Sequence, residues 1–249
     1  MNGLNTAAAA RPAISLTKVQ QVAPDLVSLY KSAEASLEKH GMRGRRAAVY
    51  LVLDYSGSMS GYYRDGSVQA LAERVLGLSA HLDDDGRVPV VFFSTDIDGF
   101  ADIGLDNHRG LIDKIVANLG HMGRTNYHVA MDAVIDHYLE SGATDPALVV
   151  FQTDGGPSSK LAAERYVCKA ARLPLFWQFV GFGNTRSSQF DFLRKLDELA
   201  VPAKRTVDNA GYFHAGADPR KVPDSVLYDR LVAEFPLWLA AAEAQGIVR

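Results

Sequence analysis

AAVYLVLDYSGSMSG, from Ala47 to Gly61, is the stretch of sequence that decides the fold. Its first seven residues are apolar or small, which is typical of a central parallel strand covered on both faces. Asp54 follows directly and should lie at the carboxyl edge of the sheet, where open α/β sheets bind ligands. In an extended loop alternate side chains share a side, so Asp54, Ser56 and Ser58 can direct three oxygens to one point. Three clustered oxygens suit a hard cation.

Further apolar runs predict more strands, at 88–93, 147–153 and 174–182, with a short last strand at 206–214. Turn residues at 94–99 predict a hairpin into a short edge strand at 99–103. Helical patterns lie between the strands, at 66–81, 107–119, 127–139, 190–199 and 224–244, the last with a break at Pro236. Pro157 is expected in the first turn of a further helix. This alternation predicts a Rossmann-like α/β fold: a doubly wound, mostly parallel sheet with helices on both faces.

The chain of 249 residues is 47% hydrophobic, enough to bury the core of one α/β domain. Residues 1–13 lack apolar periodicity, and we expect them to be disordered. Residues 14–44 carry a helical apolar pattern and are expected to form an N-terminal helical extension packed on the domain. Residues 45–245 form the main domain.

Composition also restricts the function. A net charge of -3 and an isoelectric point near 6.2 give no general attraction to nucleic acid, and the one basic cluster, Arg43–Arg46, is interpreted as a solvated strand entry. The single cysteine, Cys168, excludes an intrachain disulfide. The sequence has neither a signal-peptide pattern nor an apolar run of the ~20 residues that a membrane span needs. We therefore expect a cytoplasmic protein.

Asp154 ends a second buried strand, as Asp54 ends the first. If the two strands flank the topological switch point, their loops face each other across one crevice, and Thr125 adds a hydroxyl from a third loop. With Ser56 and Ser58, the crevice would hold five oxygen ligands and leave one position of an octahedral cation for water or another ligand. Each residue also has an ordinary structural explanation, as a turn former or a helix cap, but their combination favours a metal site.

The spacing Asp-x-Ser-x-Ser, followed by a loop threonine and a later Asp-Gly, resembles the metal-ion-dependent adhesion site of von Willebrand factor A (VWA) domains. The resemblance covers about residues 45–245. It implies a sheet with one antiparallel edge strand and a metal ion, Mg²⁺ or in some members Mn²⁺ or Ca²⁺. The implied ligands are Asp54, Ser56, Ser58, Thr125 and Asp154. It also implies that an acidic residue of a protein partner completes the coordination.

A closer resemblance is to bacterial tellurium-resistance VWA proteins of the TerF type. Five segments carry it: residues 54–59, 63–69, 83–86, 14–16 and 26–31. This resemblance implies a metal-dependent protein-interaction module of a tellurium-resistance or stress-response system, with other tellurium-resistance proteins as possible associates.

The residues after the metal loop suggest a contact surface. Tyr62, Tyr63 and Arg64 are predicted to lie on the rim of the site, since tyrosine and arginine are enriched in binding hot spots, although one tyrosine could instead pack in the core. His121 and His128 flank Thr125 in the sequence; we interpret them as surface or helix-face residues rather than as groups that tune the metal.

Catalytic motifs are missing from the sequence. Neither Ser56 nor Ser58 has glycines two residues to either side, as a nucleophile elbow requires. Ser56 also occupies the position where a phosphotransferase using Asp54 would need a second acid. There is no HExxH zinc motif and no P-loop, so any ATP chemistry would come from a partner. We expect no enzyme activity; a metal-dependent hydrolase or phosphotransferase, and a VWA subunit coupled to a partner ATPase, stay open as alternatives.

Overall fold

The computed structural model describes residues 11–184, 186–201 and 203–248. Its centre is a six-stranded sheet in the order β3-β2-β1-β4-β5-β6. In chain order the strands are β1 Ala48–Asp54, β2 Arg87–Phe93, β3 Ile97–Gly104, β4 Ala147–Thr153, β5 Leu175–Phe182 and β6 Ala210–Gly216. All neighbours are parallel except β2 and β3, which form an antiparallel hairpin. The mostly parallel sheet with one antiparallel edge strand is therefore confirmed.

Helices cover both faces of the sheet, as predicted. Their bounds are α1 Leu16–Val22, α2 Val27–Lys39, α3 Ser60–Arg64, α4 Ser67–Leu82, α5 Leu111–Val116, α6 Tyr127–Ser141, α7 Lys160–Ala170, α8 Asp191–Asp197, α9 Asp224–Val232 and α10 Phe235–Ala244. The apolar side chains of α6, α7 and α8 form the core on one face, and those of α2, α4, α9 and α10 form the core on the other. Within the described part of the chain, no helix combines the length and apolarity needed to cross a membrane.

The sheet order puts the switch point between β1 and β4. The chain moves from β1 outward to β2 and β3, and then crosses to β4 on the other side of β1. Leu53 of β1 lies in register with Gln152 of β4, so the loops that leave these two strands begin side by side. Adjacent connections that diverge in this way leave a crevice at the carboxyl edge of the sheet.

The segment before β1 packs on the domain. Tyr30 of α2 is buried and donates a hydrogen bond of 2.8 Å to the backbone carbonyl of Ile14. Asp25 accepts hydrogen bonds from Arg109 at 2.7 Å and lies 3.0 Å from the buried ring of His108. Of the predicted disordered segment, residues 1–10 lie outside the described residues, and the Ala13 amide donates to the carbonyl of His81.

Several predicted boundaries are wrong. The helix after β4 begins at Lys160, because the Ser159 side chain caps it by accepting from the Ala162 amide, so Pro157 precedes the helix instead of opening it. The helix predicted over 107–119 is only α5, and the last strand starts at Ala210 rather than near residue 206. The break at Pro236 is confirmed, since that proline lies in the first turn of α10.

Candidate metal centre

Asp54 is the last residue of β1 and is fully buried. Its Oδ1 accepts a hydrogen bond of 2.8 Å from the Ser56 amide, and its Oδ2 accepts one of 2.7 Å from the Thr153 hydroxyl. Burial raises the pKa of Asp54 to about 7, and the Asp154 carboxylate adds to the increase, while the two hydrogen-bonding neighbours oppose it. The carboxylate is therefore held in one orientation at the base of the crevice.

Ser58 connects the loop after β1 with the loop after β4. The Ser58 hydroxyl donates a hydrogen bond of 2.9 Å to Asp154 Oδ1, and the Ser56 and Ser58 hydroxyl oxygens are 3.3 Å apart. A single 3₁₀ turn, Gly57–Met59, holds the two serines in this arrangement. Burial raises the pKa of Asp154, and the Ser58 hydrogen bond partly offsets that increase. Four of the five predicted ligands are thus joined in one hydrogen-bonded chain.

Thr125 lies on a loop that reaches the same crevice. The Gly57 amide donates to the Gly123 carbonyl at 3.2 Å, and a Cβ at Gly123 would lie 2.6 Å from the Ser94 and Thr95 hydroxyls, so the close approach requires glycine. Ser158, in the loop after β4, donates its amide to the Thr125 carbonyl at 2.7 Å. Among the described contacts, none joins the Thr125 hydroxyl to the other four predicted ligands. The structure therefore places its backbone beside them without a direct side-chain bond.

Sequence reasoning missed two supporting residues, Thr153 and Ser158. Thr153 ends β4, where a threonine is ordinary strand composition, and only the register with β1 reveals that its hydroxyl reaches Asp54. The Ser158 hydroxyl accepts from the Thr125 amide at 3.3 Å. Neither residue carries a local motif that would have identified its role.

The predicted rim needs one correction. Tyr63 is buried, and its hydroxyl donates a hydrogen bond of 2.9 Å to the Asp54 carbonyl, so it belongs to the core and not to a contact surface. The reason is α3, a short helix at 60–64 that turns Tyr63 under the loop. Tyr62 is half-buried, with its ring centroid 5.3 Å from that of Phe182, and Arg64 is exposed. Of the three residues predicted for the rim, Tyr62 and Arg64 therefore remain candidates for a contact surface.

The two neighbouring histidines, His121 and His128, differ in their surroundings. His121 is exposed on the loop before Thr125. His128 lies in the first turn of α6, with its ring centroid 6.2 Å from that of Tyr166. Among the described contacts, neither ring bonds to a predicted ligand.

The donor set fits a hard divalent cation. Two carboxylates and two serine hydroxyls converge in a partly enclosed crevice, and hard oxygen ligands are those that Mg²⁺ and Ca²⁺ prefer. No ion pair of the described chain involves Asp54 or Asp154. A buried carboxylate, Asp54, next to a half-buried one, Asp154, without a cationic side chain is electrostatically unfavourable, and a bound cation would relieve this. The described residues contain no group of three or more His, Cys, Asp or Glu side chains that could hold a metal ion, so the candidate site would depend on its hydroxyl oxygens as well as its two carboxylates.

Structural comparison with proximal thread matrix protein 1 gives the same fold at low sequence identity. Proximal thread matrix protein 1 from the mussel byssus aligns with a TM-score of 0.52 and 17% identity, over 76% of this chain and 47% of that one. The manganese-loaded TRAP protein of Plasmodium vivax aligns with a TM-score of 0.49 and 18% identity, over 76% of this chain and 72% of that one.

Sequence comparison identifies the family more specifically than structural comparison does. The uncharacterized protein YcbR of Bacillus subtilis (strain 168) is 36% identical over 223 residues, which cover 88% of each chain. Residues 46–248 match the vWA-TerF-like family model, described as the vWA found in the TerF C terminus. This match spans the strands, the crevice and all five predicted ligands. The chain therefore belongs to the vWA-TerF-like family of von Willebrand factor A domains.

Proposed function

We propose that this protein is a divalent-metal-dependent protein-interaction module of a bacterial tellurium-resistance or stress-response system. The observation that carries the proposal is the hydrogen bond between Ser58 and Asp154, which joins the loops after β1 and β4 into one oxygen-lined crevice. The link to tellurium resistance rests on the TerF-type family. We further propose that the protein acts in the cytoplasm.

The metal in this proposal is Mg²⁺, with Mn²⁺ or Ca²⁺ as substitutes. Its ligands would be Asp54, Ser56, Ser58, Thr125 and Asp154. When bound, the cation supplies positive charge and an open coordination position at the carboxyl edge of the sheet. The protein's own contribution is orientation: the Ser56 amide and the Thr153 hydroxyl hold Asp54, and Ser58 holds Asp154.

The partner in this proposal is a protein that presents a carboxylate to the open position. An anionic ligand is favoured because three of the five proposed protein ligands are neutral hydroxyls, so a partner carboxylate would bind an ion that is surrounded largely by neutral groups. Tyr62 and the exposed Arg64 would add contact area around this anchor. Arg64 would also pair with acidic groups that flank the carboxylate.

We propose a binding role in preference to catalysis. The side-chain hydrogen bonds of Asp54 and Asp154 come from hydroxyls and a backbone amide, and neither carboxylate bonds to a histidine or lysine in the described contacts. A hydrolase would need a general base or nucleophile within hydrogen-bond reach of the metal-bound group. The observed hydrogen-bond donors are suited to fixing the orientation of the two carboxylates.

A pull-down from the cytosol of the native organism tests the proposal. Wild-type protein, Asp54→Asn and Asp84→Asn would be compared as bait in Mg²⁺ and in EDTA, with circular dichroism to verify that each variant is folded. Asp84 is exposed in the turn before β2, so its substitution controls for loss of a carboxylate elsewhere. We expect a protein that is retained by wild type and Asp84→Asn in Mg²⁺ and released by EDTA and by Asp54→Asn. Retention of the same proteins by Asp54→Asn would contradict the proposal.

A further inference from the structure

A groove of about 240 Å³ lies between the edge strand β3 and helix α6, on the border of the sheet. The lining side chains used below are Tyr50, Pro89, Val91, Phe100, Asp102 and His137. The Tyr50 hydroxyl and His137 Nδ1 are 3.0 Å apart, a hydrogen bond that joins β1 to α6 across the groove floor. Phe100 forms the outer wall and is 63% exposed, which is unusual for a phenylalanine within a strand.

The backbone of β3 beside this groove has an open edge. Asp102 of β3 lies opposite Pro89 of β2. Because Pro89 has no N–H, it cannot donate a hydrogen bond to the Asp102 carbonyl, and this carbonyl points away from β2. The Asn107 side chain occupies that outer side instead: it donates to the Asp102 carbonyl at 3.0 Å and accepts from the Gly104 amide at 2.7 Å. Asn107 thus supplies the bonds that a neighbouring strand would make, but only at the end of β3.

Phe100 lies two residues before Asp102, so its amide and carbonyl point to the same outer side. The described chain offers these two groups no neighbouring strand, since β3 is the last strand of the sheet. Val91 lies opposite Phe100 on β2, so both side chains project to the face that carries α6. A strand added beside Phe100 would therefore place alternate side chains directly over the groove.

The charge of the side chains that line the groove defines the occupant. Asp102 is the carboxylate among the residues that line the groove, and these lining residues include neither lysine nor arginine. Of the other acidic residues on β3 and α6, Asp132 and Asp136 lie beside Tyr166 of α7 instead. Among the described contacts, the Asp102 carboxylate at the groove has no hydrogen bond or ion pair. A second copy of this chain paired edge to edge would bring two such acidic strands together, which like-charge repulsion disfavours. A cationic strand is complementary to the same edge.

We propose that the groove between β3 and α6 binds an extended, cationic segment of a partner protein, which adds to the sheet as a strand beside Phe100. In this mode main-chain hydrogen bonds to Phe100 provide the attachment, and a lysine or arginine side chain lies along Phe100 with its charge near Asp102. The surface is separate from the metal crevice and needs no metal. This proposal can therefore be tested independently of the proposed metal-dependent function.

Amide NMR spectra of the full chain in EDTA test this mode with defined probes. The first probe is a capped peptide of alternating arginine and valine. The second replaces each arginine by glutamate, and the third keeps the arginines but replaces each valine by proline, which cannot donate main-chain hydrogen bonds. We expect saturable shifts at Phe100, Asp102 and His137 with the first probe alone. Equal shifts with the glutamate or proline peptide, or no shifts at these residues at millimolar arginine peptide, would overturn the proposal.

Two exposed side chains test the same geometry by substitution. We expect Asp102→Asn to lower the affinity for the arginine peptide about two- to fivefold, as for an exposed ion pair. Phe100→Ala should lower the same affinity about fivefold. Asp84→Asn and Leu237→Ala are matched controls, because these residues are exposed elsewhere, and they should leave the affinity unchanged. Unchanged affinity in both groove variants would contradict the proposed docking. Formation of a dimer through β3 in sedimentation experiments would assign the edge to a second copy instead.

Discussion

The hydroxyl of Tyr63 donates a hydrogen bond of 2.9 Å to the backbone carbonyl of Asp54. Tyr63 is buried, so this bond fixes the first predicted metal ligand from beneath the loop. We expect Tyr63→Phe to lower the free energy of unfolding by about 1 kcal/mol, because the carbonyl loses its partner while the ring is kept. The Mn²⁺ affinity of Tyr63→Phe should fall less than that of a variant in which a predicted metal ligand, such as Ser58, is replaced. Urea unfolding and calorimetric Mn²⁺ titration measure the two effects, and an unchanged free energy of unfolding would contradict this role.

Tyr62 and Arg64 should behave differently from Tyr63. Because they lie on the rim and bond to none of the predicted ligands in the described contacts, Tyr62→Ala combined with Arg64→Ala should weaken partner binding at saturating Mg²⁺ and leave Mn²⁺ affinity nearly unchanged. Partner capture and Mn²⁺ titration would be performed side by side. Loss of metal affinity in this double variant would show that these side chains support the crevice instead of a partner.

Ser58 is expected to support metal binding in two ways: as a predicted ligand and as the hydrogen-bond donor to Asp154. We expect Ser58→Ala to weaken Mn²⁺ binding by about tenfold or more. Ser60→Ala is a suitable control, because Ser60 begins α3 two residues later and makes no described side-chain hydrogen bond. If the two alanine variants bind Mn²⁺ with the same affinity as wild type, Ser58 is not part of the site.

Glu234, between α9 and α10, should make stability depend on pH. Burial, together with the nearby carboxylates of Asp197 and Asp208, raises the pKa of Glu234 from 4.5 to about 7, although Arg205 opposes the increase. Between these values the folded protein retains a proton that the unfolded chain has released, so the free energy of unfolding falls as pH rises from about 4.5 to about 7.

The variant Glu234→Gln keeps a hydrogen-bonding group without a titrating carboxyl. We expect its thermal midpoint to depend less on pH across this window than that of wild type. Asp197, whose pKa burial raises to about 6, would account for part of the remaining slope. Thermal unfolding from pH 4.5 to pH 7.5 measures the slope, and parallel profiles for the two proteins would contradict the assignment.

We also predict no turnover of phosphate esters, peptides or nucleotides by the pure protein in Mg²⁺ or Mn²⁺. The described partners of Asp54 and Asp154 are hydroxyls and an amide, and none of these is a general base. Chromogenic phosphate esters, a casein digest and nucleotide hydrolysis provide the assays. Metal-dependent hydrolysis that disappears in Asp54→Asn would promote the hydrolase alternative.

The apolar pattern predicted the strands well. β4 matches its predicted bounds because a run of buried apolar residues ends at a carboxylate and glycines, and both signals are local. The hairpin at β3 was recognised from its turn residues. Helix ends were harder to predict, because α5 begins four residues after and ends three residues before its predicted bounds, and α7 starts after a serine cap that lies beyond Pro157.

The proximity of four predicted ligand side chains could be predicted from the sequence, but the residues that support them could not. Asp54, Ser56 and Ser58 are close in sequence, and Asp154 ends the neighbouring strand, so spacing and topology locate them. The sequence left open which of the two tyrosines packs in the core, because only the helix at 60–64 determines that Tyr63 turns inward. The roles of Thr153 and Ser158 depend on contacts with distant segments, 99 and 33 residues away, which composition and spacing do not reveal.

Calorimetric titration of Mn²⁺ tests the central claim most directly. Wild-type protein would be compared with an Asp54→Asn, Asp154→Asn double variant and with an Asp84→Asn, Asp113→Asn control, in which both substituted carboxylates are exposed and distant in sequence from the crevice. If Asp54 and Asp154 hold the metal, wild type and the control bind one ion with the same affinity, and the crevice variant shows no measurable binding. Equal Mn²⁺ affinity in all three proteins would contradict the assignment of the metal centre.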